Sequence, residues 1–241
     1  MLYRTEGVIL RGRPLREAEV VVEFMSRHFG LRAAVARGVG RTTSRWGSSL
    51  EPFSHVRLAF WGKEDAPLPR LLQADILEPF QHLREDLRCY LQASEMAELL
   101  LRLLPARSPH EDAFELLLWA QTHLRGQPQL VPLAFQLRLL QIAGYGPRLQ
   151  RCGRCPRLCR TFYPSQGSVL CPRHAPSGER PLTLSPALQA LARTLLQWPL
   201  QKLHRLRLDR PLRRELQGLL QAHLQRGLGL QLHSAKFDPR L

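Results

Sequence analysis

Four of the five cysteines and one histidine lie close together in the second half of the chain. Cys152 and Cys155 form a C-x-x-C pair, Cys171 and His174 form a C-x-x-H pair, and Cys159 lies between the two pairs. Each such pair, with the turn between its two residues, is called a knuckle. Two knuckles joined by a short hairpin bring four soft ligands to one tetrahedral point, which is the geometry of structural zinc sites. The spacing therefore predicts a structural Zn²⁺ ion.

Two other uses of these cysteines, disulfide bonding and redox chemistry, have less support in the sequence. No signal peptide is visible, so we expect a reducing compartment, where disulfides are disfavoured. A redox C-x-x-C pair would lie next to a βαβ pattern, which is missing here. A catalytic zinc ion would need a further Glu and His nearby to leave a position open for water, and the sequence offers none.

Five side chains compete for the four ligand positions. Cys152, Cys155 and Cys171 are the first three predicted ligands, and the fourth is either Cys159 or His174. His174 has the better knuckle spacing, whereas Cys159 offers a thiolate, which structural sites favour. We predict Cys159 as the fourth ligand and keep His174 as the alternative.

A short hairpin and two flanking helices would position these ligands. Residues 162–163 and 169–170 are the predicted arms, and the Ser-Gln-Gly sequence at 165–167 is the predicted turn. A helical pattern precedes the cysteines, and Ser185 followed by Pro186 predicts the start of another helix after them. We therefore predict a cysteine module, residues 148–180, inserted in a helical domain.

The predicted helical domain covers residues 81–147 and 181–232, where apolar residues recur with a period of 3.6. Ser108 begins a capping-box pattern that predicts the start of the second long helix. The inward stripe predicted for the first long helix consists of Leu87, Tyr90, Leu91, Ala97, Leu101 and Leu104. Cys89, on the same helix, is predicted to be a buried apolar residue.

Residues 1–80 have the pattern of a β domain. Short apolar or alternating segments are separated by turn residues, and no long helical pattern interrupts them. The predicted strands are residues 7–10, 20–25, 31–36, 55–61 and 71–77. Five short strands in this length predict a small closed barrel, and the whole chain is therefore of the α+β class. No apolar run is long enough to span a bilayer, so we expect a soluble protein without a membrane partner.

Positive charge is concentrated around the cysteines. The chain has a formal net charge of +15, and residues 148–214 carry 14 basic and 2 acidic residues, a net charge of +12. Such a local excess of arginine indicates a polyanionic partner such as nucleic acid. The alternative is a genome with a bias toward arginine, which would leave these side chains solvated and without a partner.

Three groups of residues are the candidate nucleic-acid contacts. Basic residues follow the first strand, lie in the Gly- and Ser-rich loop around residues 38–49, and lie in the cysteine module. Trp46 either stacks on a base or packs on the barrel. The predicted contacts are Arg11, Arg13, Arg16, Arg37, Arg41, Arg45, Trp46, Arg154, Arg157 and Arg160.

Several segments, taken in order, resemble the RecO family of bacterial DNA repair and recombination mediators. Near the N-terminus, a Glu precedes an apolar strand and a basic turn at residues 6–11, and Phe29-Gly30-Leu31 leads into an Ala-rich strand that ends in Arg37-Gly38. Leu50-Glu51-Pro52-Phe53 is similar to the family's Leu-x-Pro-Phe sequence, and residues 135–147 resemble its helix before the zinc site. The family's second C-x-x-C pair is replaced here by Cys171 and His174.

This resemblance covers nearly the whole chain and implies a fold and a role. It implies an N-terminal oligonucleotide-binding (OB) barrel at residues 1–80, a helical domain and a zinc-finger module. It also implies a non-catalytic cytoplasmic, nucleoid-associated protein that binds single- and double-stranded DNA and anneals complementary strands. The implied partners are RecR, single-strand DNA-binding protein (SSB) and, indirectly, RecA, which is loaded onto SSB-coated strands.

Two other functional classes remain open at this point. A DNA-modifying enzyme with a zinc-stabilised domain is one, although neither a carboxylate cluster nor a nucleotide-binding loop is visible in the sequence. A zinc-ribbon module that contacts RNA or protein and lacks annealing activity is the other. We expect the mediator function, with no catalytic residues, and keep the zinc-ribbon module as the alternative.

Overall fold

The computed structural model describes residues 1–39, 46–63 and 66–232. These residues fall into two compact units. The first, here called the barrel unit, lies within Met1–Arg125, and the second, the helical unit, lies within Gly126–Lys236. Each unit has its own sheet and its own set of helices, and each is described by itself below.

Five strands at the start of the barrel unit form a closed barrel. The strands are β1 (Leu2–Arg16), β2 (Glu19–Ser26), β3 (Gly30–Arg37), β4 (His55–Trp61) and β5 (Arg70–Glu78). Their order around the barrel is β1-β2-β3-β5-β4, and β4 pairs again with β1. Neighbouring strands are antiparallel except β3 and β5, which are parallel. This is the five-stranded barrel of the OB fold, as predicted.

Strand β1 is longer than the sequence pattern predicts. Its first half pairs with β4, from Leu2 opposite Trp61 to Val8 opposite His55. From Gly7 to Arg16 it pairs with β2, so Gly7 and Val8 pair on both sides, and a register irregularity interrupts the β1–β2 ladder between Ile9 and Arg11. Beyond Leu10 its residues are exposed, so no alternation of apolar and polar residues marks this part as a strand. Pairing with two neighbours is a tertiary property that local sequence does not encode.

The inward faces of all five strands form the barrel core. Phe24, Phe60 and Leu71 are fully or almost fully buried, and Tyr3 stacks on Phe60 with ring centroids 5.2 Å apart. Trp46 also belongs to this core, with 4% of its surface exposed. Apolar burial of this kind is the main source of stability for so small a barrel.

Three helices complete the barrel unit: α1 (His82–Glu85), α2 (Leu87–Leu103) and α3 (Glu111–His123). The compact unit therefore extends past residue 80, where the sequence places the domain boundary. The Asp86 carboxylate caps α2 by accepting a hydrogen bond from the Cys89 amide at 2.8 Å. Cys89 is 4% exposed, which confirms its prediction as a buried residue, and burial raises the pKa of its thiol to about 11.

Two predicted details of these helices are wrong. The stripe assigned to α2 includes Leu87, which is 70% exposed, and Tyr90, which is 39% exposed. Apolar residues cover more than one face of α2, so the sequence alone leaves its rotation ambiguous, and the structure buries Met96, Leu99 and Leu100 instead. Helix α3 begins at Glu111 without a side-chain cap, three residues after the predicted cap at Ser108.

The helical unit surrounds a small sheet with helices. Its elements are α4 (Val131–Ile142), β6 (Thr161–Tyr163), β7 (Ser168–Val169), β8 (Leu182–Thr183), α5 (Pro186–Gln197), α6 (Leu200–Leu203) and α7 (Arg210–Ala222), followed by a π-helical turn over His223–Gly227. Helices α4, α5 and α7 pack against one another, although the sheet lies between α4 and α5 in the chain. The cysteine module is therefore inserted in a helical framework, as predicted.

Polar contacts hold this helical framework together. The Ser185 hydroxyl caps α5 by accepting a hydrogen bond from the Leu188 amide at 3.0 Å, which confirms the predicted helix start. The Ser185 amide and hydroxyl both donate to the Glu215 carboxylate of α7, each at 2.7 Å. Arg138 of α4 donates to the Leu195 carbonyl at the end of α5, at 2.6 Å. These bonds fix the two helices that flank the module.

Among the described residues, no helix combines the length and the apolar character needed to cross a bilayer.

The turn between β2 and β3 provides a test of the barrel unit. Gly30 has a φ of +65°, and a Cβ at this position would lie 1.9 Å from the Ser108 carbonyl oxygen. Gly38 also has a positive φ, +77°, but no atom of the described residues lies within 4 Å of an added Cβ. We expect Gly30→Ala to cost about 3 kcal/mol or more, and Gly38→Ala about 1 kcal/mol, in chemical denaturation. Equal losses would contradict the close contact at Gly30.

Candidate metal centre and nucleic-acid surface

A short hairpin forms the base of the cysteine module. Strands β6 and β7 pair with Phe162 opposite Val169, and a 3₁₀ turn over Pro164–Gln166 joins them. Gly167 closes this turn with a φ of +56°, in the left-handed region that glycine adopts without strain. The predicted hairpin is thus present, and β8 adds a third strand along the other edge of β6.

The first knuckle is folded back onto this hairpin by backbone hydrogen bonds. The Cys152 amide donates to the Arg157 carbonyl at 2.9 Å, which closes a loop around Cys155. The Gly153 amide donates to the Val169 carbonyl at 3.0 Å. A Cβ at position 153 would lie 2.6 Å from the Ser168 hydroxyl, so loop and hairpin approach each other closely at this glycine.

The second knuckle follows β7 directly. Cys171 precedes a 3₁₀ turn over Pro172–His174, and the His174 amide donates to the Cys171 carbonyl at 2.9 Å. This turn directs the imidazole back toward the cysteines, because the His174 Nδ1 lies 3.4 Å from the Cys171 Sγ and 3.5 Å from the Cys152 Sγ.

Four ligand atoms therefore meet at one point. The Sγ atoms of Cys152, Cys155 and Cys171 and a ring nitrogen of His174 all lie within 4.8 Å of one another. A tetrahedral zinc ion with ordinary bond lengths requires about 3.8 Å between two sulfur atoms and about 3.5 Å between sulfur and nitrogen. The Cys155 and Cys171 sulfur atoms are 3.8 Å apart, and the two sulfur–nitrogen distances fall at the second value. The cluster fits a Cys3His metal site.

The preference for Cys159 as the fourth ligand does not agree with this geometry. His174, the alternative, completes the group, whereas Cys159 packs against its edge and has its Sγ 3.8 Å from the Arg157 carbonyl. The loop of the first knuckle closes at Arg157, so Cys159 lies beyond the turn that directs Cys152 and Cys155 inward. Burial and the neighbouring thiolates raise the pKa of Cys159.

The hydrogen bonds around Cys152 favour its thiolate form. Burial by itself would raise the pKa of Cys152, but hydrogen bonds from the backbone amides of Cys171 and Arg154 and from His174 lower it to about 5. A thiolate is the form of cysteine that binds a metal ion. The pKa of Cys155 is raised, because partial burial and its sulfur neighbours outweigh the backbone hydrogen bond that lowers it.

Exposed arginines lie close in sequence to the candidate metal ligands. Arg154, Arg157 and Arg160 are all exposed, and none of them forms an ion pair with a carboxylate in the described part of the chain. Arg154 donates to the Gln166 side-chain oxygen at 3.3 Å and, with Arg148, lines a polar cavity beside the hairpin. The positive charge of the module is therefore available to an external anion.

The predicted arginines of the barrel unit differ from these in their partners. Arg11 and Arg13 both pair with Glu23, the latter at 3.1 Å, and Arg37 pairs with Glu19 at 3.0 Å. Arg16 is exposed at the end of β1. Arg41 and Arg45 lie outside the described residues. The described arginines of this group thus leave less uncompensated charge than those of the cysteine module.

Trp46 packs into the barrel rather than presenting its ring to a base. Its indole N–H donates to the Arg37 carbonyl at 2.8 Å, and its ring joins the buried core. Stacking on a base requires an exposed ring, and the buried ring of Trp46 offers no face to a base. Trp61, which the sequence analysis did not consider as a contact, is 57% exposed. The alternation of β4, with Val56, Leu58 and Phe60 inward, is a signal that could have identified it.

Comparisons with known proteins agree with this architecture. Residues 1–80 match the family described as Recombination protein O N terminal, and residues 84–236 match Recombination protein O C terminal. The two matches together cover nearly the whole chain and divide it at the end of the five strands.

Curated relatives match over similar lengths. The chain is 34% identical to a DNA repair protein RecO of Thermodesulfovibrio yellowstonii, over 95% of this chain and 94% of the relative. It is 33% identical to a DNA repair protein RecO of Symbiobacterium thermophilum, over 98% and 96%. A third, from Frankia casuarinae, is 37% identical over 94% and 96%. With an OB-type barrel, a helical unit and a Cys3His cluster, the chain belongs to the RecO family of DNA repair and recombination proteins.

Proposed function

We propose that this protein is a non-catalytic DNA-binding mediator of recombination. It binds single- and double-stranded DNA, anneals complementary strands and, together with RecR, helps to load RecA onto strands coated by SSB, in the bacterial cytoplasm and nucleoid. The observation that carries the proposal is the group of exposed arginines without carboxylate partners near the candidate metal centre, in a chain that matches the RecO family over nearly all of its residues. The three protein partners come from the family resemblance.

Annealing follows physically from a surface of this kind. Two complementary strands repel each other through their phosphates, and a surface that holds both must neutralise part of that charge. Residues 148–214 carry a net charge of +12, and part of this charge is exposed to solvent on the side chains of Arg154, Arg157 and Arg160. Binding through phosphates is independent of base sequence, which suits a protein that acts on whichever strands are damaged.

We further propose that the metal is Zn²⁺ with a structural role. Three thiolates and one imidazole at tetrahedral spacing are a ligand set that zinc prefers. Four protein ligands fill a tetrahedral site and leave no open position for an activated water. The ion would hold the two knuckles against the β6–β7 hairpin and thereby fix the direction of the arginines that follow the cysteines.

Strand annealing is the experiment that tests the proposed function. Two complementary oligonucleotides, one carrying a fluorophore and the other a quencher, are mixed with the protein at 50 mM and 200 mM salt without nucleotide or added metal. We expect rapid annealing at low salt that weakens at high salt, because phosphate binding releases counterions. Tight binding without annealing would instead indicate a zinc-ribbon interaction module, and strand cleavage with Mg²⁺ would indicate an enzyme.

Zinc content tests the ligand assignment. We expect Cys171→Ser and His174→Ala to lose bound zinc and to unfold the helical unit at lower temperature, because the ion and the folded module stabilise each other. Cys159→Ser, the matched control, should retain one zinc ion per chain, measured by elemental analysis. Loss of zinc in Cys159→Ser with retention in His174→Ala would reverse the assignment.

Salt dependence tests the arginines of the module. Replacement of Arg154, Arg157 and Arg160 by Ala should lower the slope of log Kd against log salt by up to about 2 for a single strand, since each phosphate contact contributes about 0.7. The triple Lys variant, which keeps the charge, should retain most of the slope. An unchanged slope in the Ala variant would show that these arginines do not contact DNA.

A further inference from the structure

The outer face formed by β1, β4 and β5 of the barrel carries an exposed tryptophan. Trp61 ends β4 and is 57% exposed, whereas Trp46 and Trp119 are buried. Trp61 lies directly opposite Leu2 of β1, itself 51% exposed, and directly opposite Arg70 of β5. In the described part of the chain its ring contacts no other aromatic ring. A large apolar surface is therefore left in solvent.

Arginines flank this tryptophan on the same face. Arg70 is its direct partner on β5, so their Cβ atoms are about 5 Å apart. Arg4 lies opposite Ala59, two residues from Trp61 along β4, and Arg57 lies four residues away. Since side chains alternate along a strand, all of these residues point outward. Arg4, Arg57 and Arg70 are exposed, and no ion pair involves them among the described residues.

Among the described residues, Glu6 and Asp75 also lie on this face beside Arg57, Glu78 lies beyond them opposite His55, and each has another partner. Glu6 approaches Arg27 at 3.5 Å and His55 at 3.4 Å. Asp75 accepts a hydrogen bond from Gln73 at 2.7 Å. Both lie at the level of Arg57, away from the Trp61 end, so the surface around the ring is dominated by Arg4 and Arg70.

We propose that Trp61 is a base-stacking platform for single-stranded DNA and that Arg4, Arg57 and Arg70 form a phosphate-binding track beside it. This site rests on the proposed DNA-binding function and names a contact surface for one of its substrates. An exposed ring with positive charge on both sides matches what a single strand offers, namely a free base face and a charged backbone. A duplex offers no free base face inside its stack, so the ring distinguishes single from double strands.

The charge favours nucleic acid over a protein partner for this face. A protein-binding patch generally has apolar neighbours around its central aromatic residue, with charge depleted from its core. Here the direct partners of Trp61 are Leu2 on β1 and Arg70 on β5. The next outward-facing pair along β1 and β4 is Arg4 and Ala59. Two of these four neighbours are arginines, so the exposed ring is bordered by positive charge.

Base-dependent binding of the full-length protein tests the proposal. The probes are a fluorescein-labelled dT20 strand, a strand of the same length with abasic sites, and a 20-base-pair duplex, each followed by anisotropy. We expect Trp61→Ala to weaken dT20 binding about tenfold, the effect of one lost base–aromatic stack. Binding to the abasic strand and the duplex should change less than about twofold, because neither presents a base to the ring.

Three matched variants complete the experiment. Trp61→Phe retains a ring and should restore most of the dT20 affinity, and Trp198→Ala, which removes another half-exposed tryptophan, should bind like the parent. Arg4→Gln, Arg57→Gln and Arg70→Gln together should lower the salt slope by about 2 on both single strands. Circular dichroism checks that each variant is folded, which we expect because the altered side chains are exposed.

Three results would overturn the proposal, and they are distinguishable. If the parent binds dT20 and Trp61→Ala binds it equally well, Trp61 is not a stacking platform, whereas the DNA-binding function stands. If the parent binds none of the three nucleic acids, both the platform and the proposed function fail. Equal weakening of dT20 and abasic binding by Trp61→Ala would also exclude stacking.

Discussion

Closure of a very small barrel is the constraint on which the first half of this protein depends. Five strands can close only if β1 pairs with both β2 and β4, and if β5 reaches β3 in a parallel contact. Once closed, the barrel has one inside and one outside, and every strand residue is assigned to one of them. Trp46 and Trp61 illustrate this consequence, because the first fills the interior while the second lies on the outer wall.

A second constraint, local to the helical unit, is the convergence of two knuckles on one point. The hairpin supplies a rigid base, the close approach at Gly153 brings the first knuckle onto it, and the turn after Cys171 directs His174 inward. Four soft donors at tetrahedral spacing thus come from segments that contain little secondary structure of their own. A bound ion would cross-link these segments and compensate for the small apolar core of the module.

Charge is distributed differently in the two units. Several arginines of the barrel are paired with Glu23 or Glu19, so that part of their charge is neutralised within the fold. Near the candidate metal centre, in contrast, the arginines at positions 154, 157 and 160 are exposed to solvent. The affinity of a protein surface for DNA depends more on its unpaired positive charge than on its total charge. A guanidinium in an ion pair must first separate from its carboxylate before it can bind a phosphate.

The sequence by itself determined the class of fold, three cysteines of the cluster, the hairpin between the two pairs and the basic character of residues 148–214. These features follow from local spacing, turn residues and charge. Only the tertiary structure decided that His174, and not Cys159, lies among those three cysteines, how α2 is rotated, and which tryptophan is exposed. Each of these depends on the direction of a side chain relative to residues that are distant in the chain. Local sequence sets the spacing between neighbouring residues, but folding decides which distant residues they contact.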